Sequence, residues 1–474
     1  MRSHFEIGDL YMNQKLEAFR AYIEGKTVAL LGMGISNRAA VDFLLSMGAR
    51  LTARDKNPAP EMEITEFLTS RGVKMIYGDG YLSDITEDIV FKSPGIRYDI
   101  PELLSAAENG CTVTSEMEVF LSLCPARVFA VTGSDGKTTT TTLISEMLKK
   151  TAEREGARVF LGGNIGTPLL PYLADMNEND YAVLELSSFQ LHTMRFSPLS
   201  AVITNVTPNH LNWHTDMEEY TESKRNIYKY QENGTRLTLN AENALTRAMA
   251  SDANAEVTLF SSKERPDAAR ACYLENGVIY YEADGERQAV MNRDDIKIVG
   301  LHNVENYMAA ISAVWGYALP EDMREVARTF GGVSHRIELV YEKNGVKFYN
   351  SSIDTSPTRT LAALAYFEEK LIVIVGGYDK HIPIEPLISP LAEKAKFVVG
   401  TGDTGLQVLR ALEKANYPRV QMAYLGAFDT AVRFAAGLAK TGDTVLLSPA
   451  AASFDAFPNF EKRGERFTAL VRSL

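Results

Sequence analysis

The sequence is poor in cysteine, has no long apolar run and is short of positive charge, and each shortage removes a class of protein. Cys111, Cys124 and Cys272 are odd in number and widely spaced, which excludes a disulfide framework or a cysteine zinc site and leaves them as small core hydrophobes. No apolar stretch approaches the ~20 residues that a membrane-spanning helix needs, and the opening residues MRSHFEIGDLYMNQKLEAF contain no signal-peptide core. The expectation is a cytoplasmic protein without membrane insertion. A net charge of -12 argues against nucleic-acid binding, which calls for a basic footprint. An anionic ligand must then be held by locally placed cations and helix ends.

What is present is a globular chain of 474 residues, 45% hydrophobic, long enough for roughly three domains. Its most informative string is RVFAVTGSDGKTTTTTLISEMLK, which predicts a strand, a phosphate loop and a helix. Glycines at 133 and 136 let successive N–H groups of Gly133, Ser134, Asp135, Gly136, Lys137, Thr138 and Thr139 curl toward an anion at the helix N-terminus. Lys137 supplies a point charge and Thr138 a hydroxyl ligand for Mg2+. The spelling is a shortened GxxGKT, since Val131 stands where GxxxxGK[ST] has its first glycine. A bound nucleoside triphosphate follows.

Before this loop, KTVALLGMGISNRAAVDFLLSMGARLTARDKN predicts a strand at 27–31, a turn at Gly32 and Gly34, a helix at 38–47 and a strand at 50–53. Asp55 follows where a dinucleotide fold places its ribose ligand. Asn37 occupies the place of the third glycine of GxGxxG, so a phosphate ligand other than a nicotinamide dinucleotide fits this turn better. A further strand ends in Ser93-Pro94-Gly95, on the edge where open α/β sheets bind ligands.

After the loop, YAVLELSSFQL and AVITNVTPNHLNWH are apolar strands that deliver Glu185, Asn205, Asn209, His210 and His214 to neighbouring loops. Such a set suits Mg2+ when phosphates complete its shell. MEEYTESKRNIYKY has an acidic start and a basic end, as a helix should, and spacing alone reads its Lys224 as surface charge. LHNVENYMAAISAVWGYAL is an amphipathic helix whose opening amides, Asn303 and Asn306, serve either as caps or as contacts to a base edge. The last segment alternates LIVIVGG, KFVVGTG, VQMAYLG and TVLLSPA with helical stretches, indicating another mostly parallel sheet. Among its polar loops, Asp379 and Lys380 read as a surface pair or a ligand contact, and Ser453 as a helix cap or a ligand contact. The expected fold is α/β in three domains: an N-terminal Rossmann-like domain at 1–116, a central P-loop-type mononucleotide-binding sheet at 117–332 and a C-terminal Rossmann-like domain at 333–474.

From Lys26 to the C-terminus the chain resembles the Mur ligases, ATP-dependent amide-forming enzymes of peptidoglycan precursor synthesis. The resemblance is carried by GMGIS, SPGI, TGSDGKTTTTT, GGNIG, ELSSFQL, NVTPNHLNWH, HNVEN, SHRIE, GGYDK and LLSPAAASFDAFPNFEKRG. It implies addition of D-glutamate to UDP-N-acetylmuramoyl-L-alanine by a monomer, with ATP and with Mg2+ at two sites. It places Lys137, Glu185, His210 and Lys224 in catalysis, with Thr138 and Glu185 on one Mg2+ and His210 and a carbamylated Lys224 on the other. Asn303 becomes the adenine contact and Arg336 a phosphate contact. Ile35, Ser36, Asp55, Ser93 and Gly95 hold the UDP moiety, Asn164 and His210 the muramoyl-alanine end, and Thr355, Lys380, Ser453 and Phe454 the D-glutamate. Two positions depart from the family pattern. Ser351 stands where the family has Asp, with Asp354 as the alternative carboxylate, and Ile353 where some relatives have lysine. A homologue that binds the precursor with little turnover is the second reading, and it rests on Ser351.

Overall fold

The structure, a computed structural model, describes residues 5–58, 62–211, 213–298, 300–379 and 382–474, with side chains from residue 14 onward. The chain divides into two compact units, Met1–Thr329 and Phe330–Leu474.

The first unit contains two sheets. Strands β1 (Thr27–Leu31), β2 (Arg50–Asp55), β3 (Lys74–Tyr77), β4 (Ile89–Lys92) and β5 (Thr112–Thr114) form an all-parallel sheet in the order β3-β2-β1-β4-β5. The order reverses between β1 and β4, which opens a crevice at their carboxyl ends. Gly32 leaves β1 there with φ +82°, and a Cβ at this position would lie 2.5 Å from Ser93 Oγ at the tip of β4. Only glycine lets the two tips close in this way. The helix after the turn runs Ile35–Ser46, one turn earlier than the periodicity predicts, because Gly34 takes the N-cap position and the chain is helical from Ile35.

The second sheet has nine strands: β6 (Arg127–Thr132), β7 (Val159–Gly163), β8 (Tyr181–Glu185), β9 (Ser200–Ile203), β10 (Arg236–Asn240), β11 (Glu256–Ser261), β12 (Arg270–Glu275), β13 (Val278–Ala283) and β14 (Glu286–Asn292). Their order is β14-β13-β12-β11-β10-β9-β6-β8-β7. It is parallel from β7 to β12 and antiparallel through β12-β13-β14. Helix Lys137–Glu155 buries Leu143, Ile144, Met147 and Leu148, and helix Leu301–Val314 is buried nearly all round from Asn303 onward. One continuous hydrophobic core runs from Ile23 under the first sheet to Leu259 in the second.

The second unit holds β15 (Glu338–Lys343), β16 (Val346–Asn350), β17 (Leu371–Gly376), β18 (Ala395–Thr401), β19 (Met422–Gly426) and β20 (Thr444–Leu447) in the order β15-β16-β20-β17-β18-β19. Among these strands the β15-β16 hairpin is antiparallel and the other pairings are parallel. Leu371, Val373 and Val375 enter one core layer and Ile372 and Ile374 the opposite one. Burial on both faces explains why LIVIV is apolar without alternation.

Candidate active site

The site forms where the parallel strands of the central sheet end. β6 runs into Gly133, whose φ is +150°, and Gly136 follows at φ +78°. A Cβ on the first would collide with Thr204 Oγ1 and on the second with Asn306 Oδ1, so both positions require glycine. The loop is braced from β9, with Ser134 N donating to Asn205 O (2.9 Å) and Asp135 N to Asn205 Oδ1 (2.9 Å). Ser134 Oγ lies 2.9 Å from Tyr220 OH and accepts from Thr207 N. The threonine tail has local uses: Thr141 and Thr142 donate to carbonyls four residues back, while buried Thr140 donates to Asn306 Oδ1 (3.2 Å). Thr139 stands half-buried on the same first turn.

Lys137 Nζ donates to Gly133 O and Ser134 O, each at 3.0 Å. Lys224, on the capped helix Met217–Arg225, donates to that same Gly133 O at 2.9 Å and sits 4.5 Å from the Tyr220 ring centre. It is 1% exposed, so the surface reading of its spacing is corrected: helix periodicity fixes the face, and the phosphate loop covers that face. Burial, reinforced by the Lys137 charge, drives the Lys224 amine well below the ordinary lysine range.

Glu185 ends β8, buried, with Oε2 accepting from Thr138 Oγ1 and Oε1 from Asn164 Nδ2, both at 2.7 Å. Gly163 pairs with Glu185 in the parallel register at φ +95°, and a Cβ there would strike the Glu185 carbonyl. This explains the glycine directly before Asn164, while a Cβ on Gly162 would strike Leu169 and the Thr167 carbonyl. His210 sits at φ +56°, exposed, with its ring edge-on to Phe189 at 4.9 Å. Local burial, then the charges of Lys137 and Lys224, lower its pKa. The four residues expected in catalysis are therefore brought to one strand edge. Asn303 lies beneath the loop, buried, and accepts from Asn306 Nδ2 at 3.2 Å. Asn306 thereby becomes a brace for Gly136 and Thr140.

At the tip of the first sheet, Asp55 accepts from Met33 N (2.6 Å) and Asn57 N (2.9 Å). Buried Asn37 donates to Leu31 O, Gly32 O and Phe91 O, tying β1 to β4 where a dinucleotide fingerprint would place glycine. Ile35 is 77% exposed beside half-buried Ser36. Gly95 O accepts from Trp213 Nε1 at 2.9 Å, which connects loop 93–95 to the loop of His210. Neither Trp213 nor its neighbours Arg97 and Glu219 were legible as site residues, since their partners are remote in sequence.

In the second unit, the turns after β17 and β20 lie together: Tyr378 N donates to Ala452 O, and the Tyr378 and Phe454 rings are 6.1 Å apart. Phe454 is 62% exposed, Ser453 is buried and Thr355 is half-buried. Ser453 is not a helix cap. The helix Phe460–Arg472 is capped by Asn459, which accepts from Lys462 N, six residues beyond it. Asp379 accepts from Gln407 Nε2 at 2.8 Å, and Lys380 lies outside the described residues. Arg336 is exposed on the loop before β15. Asp354 does not replace the missing Asp of the NSS string: it is 4% exposed and accepts from Ser448 Oγ at 2.7 Å, inside the sheet tip. Burial pushes its pKa up to about 6.

Comparison with known proteins covers the same three regions. Residues 26–115 match the Mur ligase MurD-like, N-terminal domain, residues 131–314 the Mur ligase middle domain, and residues 335–451 the Mur ligase, glutamate ligase domain. UDP-N-acetylmuramoylalanine–D-glutamate ligase of Acetivibrio thermocellus is 47% identical, covering 98% of this chain and all of the relative. The protein of the same name from Ruminiclostridium cellulolyticum is 44% identical over the same shares. Among solved structures, UDP-N-acetylmuramate-alanine ligase from Thermotoga maritima superposes with a TM-score of 0.53 at 20% identity, over 94% of this chain and 99% of that one. MurF from Acinetobacter baumannii gives 0.53 at 16%, over 95% and 92%. These two likenesses concern the fold.

Proposed function

The chain belongs to the Mur ligase family, and from that premise we propose that it joins D-glutamate to UDP-N-acetylmuramoyl-L-alanine using ATP. A carboxylate is a poor electrophile, so the precursor's terminal carboxylate first takes the γ-phosphoryl group of ATP, releasing ADP. The amine of D-glutamate then attacks the acyl phosphate, and phosphate leaves from the tetrahedral intermediate. Positioning and electrostatics supply most of such catalysis. Residues 117–332 serve ATP, 1–116 the UDP-linked precursor and 333–474 the amino acid.

The observation that carries this reading is the convergence of Lys137 and Lys224 on Gly133 O, beside a Glu185 carboxylate already held by Thr138. Phosphate oxygens are stronger acceptors than the Gly133 and Ser134 carbonyls, so Lys137 exchanges these for the β- and γ-phosphates. Thr138 and Glu185 offer the hard oxygen donors that fit Mg2+. When bound, Mg2+ neutralises phosphate charge. The lowered pKa of Lys224 leaves a neutral amine that can add to CO2, losing a proton and becoming a carbamate, which with His210 suits a second Mg2+. Asn303 and Arg336 serve the nucleotide. Ile35, Ser36, Asp55, Ser93, Gly95 and Asn164 serve the precursor, and Thr355, Lys380, Ser453 and Phe454 the D-glutamate. ATP and a nucleotide-linked precursor are cytoplasmic substrates, and among the described residues no helix is long and apolar enough to cross a membrane.

An ADP-release assay with UDP-N-acetylmuramoyl-L-alanine tests the assignment. D-glutamate should support turnover while L-alanine, L-lysine and meso-diaminopimelate do not; comparable ADP release with another of these acceptors would reassign the substrate.

A further inference from the structure

The loop that follows β4 is fastened to the central sheet's catalytic edge at two points. Trp213 Nε1 donates to Gly95 O at 2.9 Å. Two residues beyond Gly95, Arg97 grips Glu219 with Nη1 on Oε2 (3.0 Å) and Nη2 on Oε1 (2.7 Å), and also donates to Trp213 O (2.9 Å). Each partner leads directly into the site. Trp213 N and His214 N both donate to His210 O, and the Phe189 ring packs on His210 and Trp213 at 4.9 and 4.7 Å. Glu219 lies on the helix of Lys224, at the end capped by Asp216, and its carboxylate is further fixed by Thr215 N (2.7 Å) and His192 Nε2 (3.0 Å).

The ligand atoms of His192, His214 and Glu219 lie within 4.8 Å of one another, a grouping that resembles a cation site. Arg97 already holds both Glu219 oxygens, so a metal there would face a guanidinium. The cluster is instead an ion-pair hub: the Arg97–Glu219 pair is only 20% exposed on either side, and a bidentate pair of this kind fixes orientation as well as distance.

We propose that Arg97, Trp213 and Glu219 are positioning residues that transmit occupancy of loop 93–95 to His210 and Lys224, so that precursor binding sets the geometry of the phosphoryl-transfer site. The identity of the ligand at that loop rests on the ligase reading; the linkage rests on the hydrogen bonds above.

The chain has two tryptophans, and the other, Trp315, is stacked on Tyr281 at 4.0 Å. In a Trp315→Phe background Trp213 is the single indole. UDP-N-acetylmuramoyl-L-alanine, added without nucleotide, should change its emission, and Arg97→Gln should remove that change. Trp213→Phe keeps the ring packing and loses only the bond to Gly95 O, so the precursor KM should rise about three- to tenfold while the ATP KM stays unchanged, in line with one hydrogen bond lost. Arg97→Gln should raise the precursor KM further and lower kcat. Unchanged precursor kinetics in both variants would overturn the proposal, as would equal shifts of the ATP and precursor KM accompanied by a lower melting temperature. Absence of product from the unmutated protein would instead overturn the ligase reading, and an Arg97-dependent emission change would still uphold the linkage.

Discussion

The tip of the central sheet and the tip of the third sheet carry strings that are equally polar, yet the two tips use those polar groups in opposite ways. At the central tip, Lys137 rests on carbonyls of its own loop, and Thr138 and Asn164 rest on Glu185; each of these bonds can be exchanged for one to a phosphate or a hard cation. At the third tip, Asn350, Ser351 and Ser352 are fully buried. Asn350 Nδ2 donates to Gly464 O (3.2 Å) and Ser352 Oγ to Phe460 O (2.8 Å), while Arg463 donates to Ser352 Oγ, Ser352 O and Ala452 O. That string fastens helix Phe460–Arg472 to the sheet. A polar run at a strand end is therefore functional when its partners are replaceable and structural when they are the fold's own backbone.

Lys137→Ala breaks the comparison most severely on the central side. ADP formation should fall about 10^3-fold, roughly 4 kcal/mol of transition-state stabilisation, while circular dichroism and melting temperature stay close to the parent. A folded variant with parental turnover would mean that the phosphate loop is not the nucleotide site. On the third-sheet side Arg463→Met should do the reverse. The residue is 2% exposed, and its loss leaves buried Ser352 O without a donor and removes one bond each from Ser352 Oγ and Ala452 O, which keep Phe460 O and Tyr378 N as partners, a cost of about 3 kcal/mol. Calorimetry of the intact chain should register that loss as a lower melting temperature, with ATP affinity little altered. An unchanged melting temperature would remove the structural assignment of the NSS string.

The sequence made the central tip legible because its determinants are local: a strand, two glycines that must be glycine, and a Lys-Thr pair fall within one short stretch. The strands of the third sheet were equally plain from runs such as LIVIV. What could not be read was pairing across distance. The β12-β13-β14 hairpins were within reach, since Asn276-Gly277 and Asp284-Gly285 are two-residue turns with both residues at positive φ, whereas Lys224 looked like surface charge because nothing on its own helix announces Gly133 above it. Arg97 and Glu219 are separated by 122 residues, so neither string hints at the other. Asp354 failed for the related reason that its distance along the chain from Asn350 does not reveal that Ser448 encloses it.

Asp354→Asn sharpens the comparison with the smallest effect. In the folded chain burial raises this carboxyl from 3.8 to about 6, against the opposing pull of hydrogen bonds from Ser351 and Ser448. The native state therefore keeps a proton that the unfolded chain releases, and its contribution to stability is whole below about pH 4 and is lost as pH rises through 6. Asparagine has no such titration and can still accept from Ser448 Oγ. Relative to the parent, the Asn variant should gain on the order of 2 kcal/mol of stability between pH 4 and pH 7. Urea unfolding of both proteins at those two pH values measures the difference, and parallel pH profiles would place Asp354 in contact with solvent, where it could serve a ligand after all.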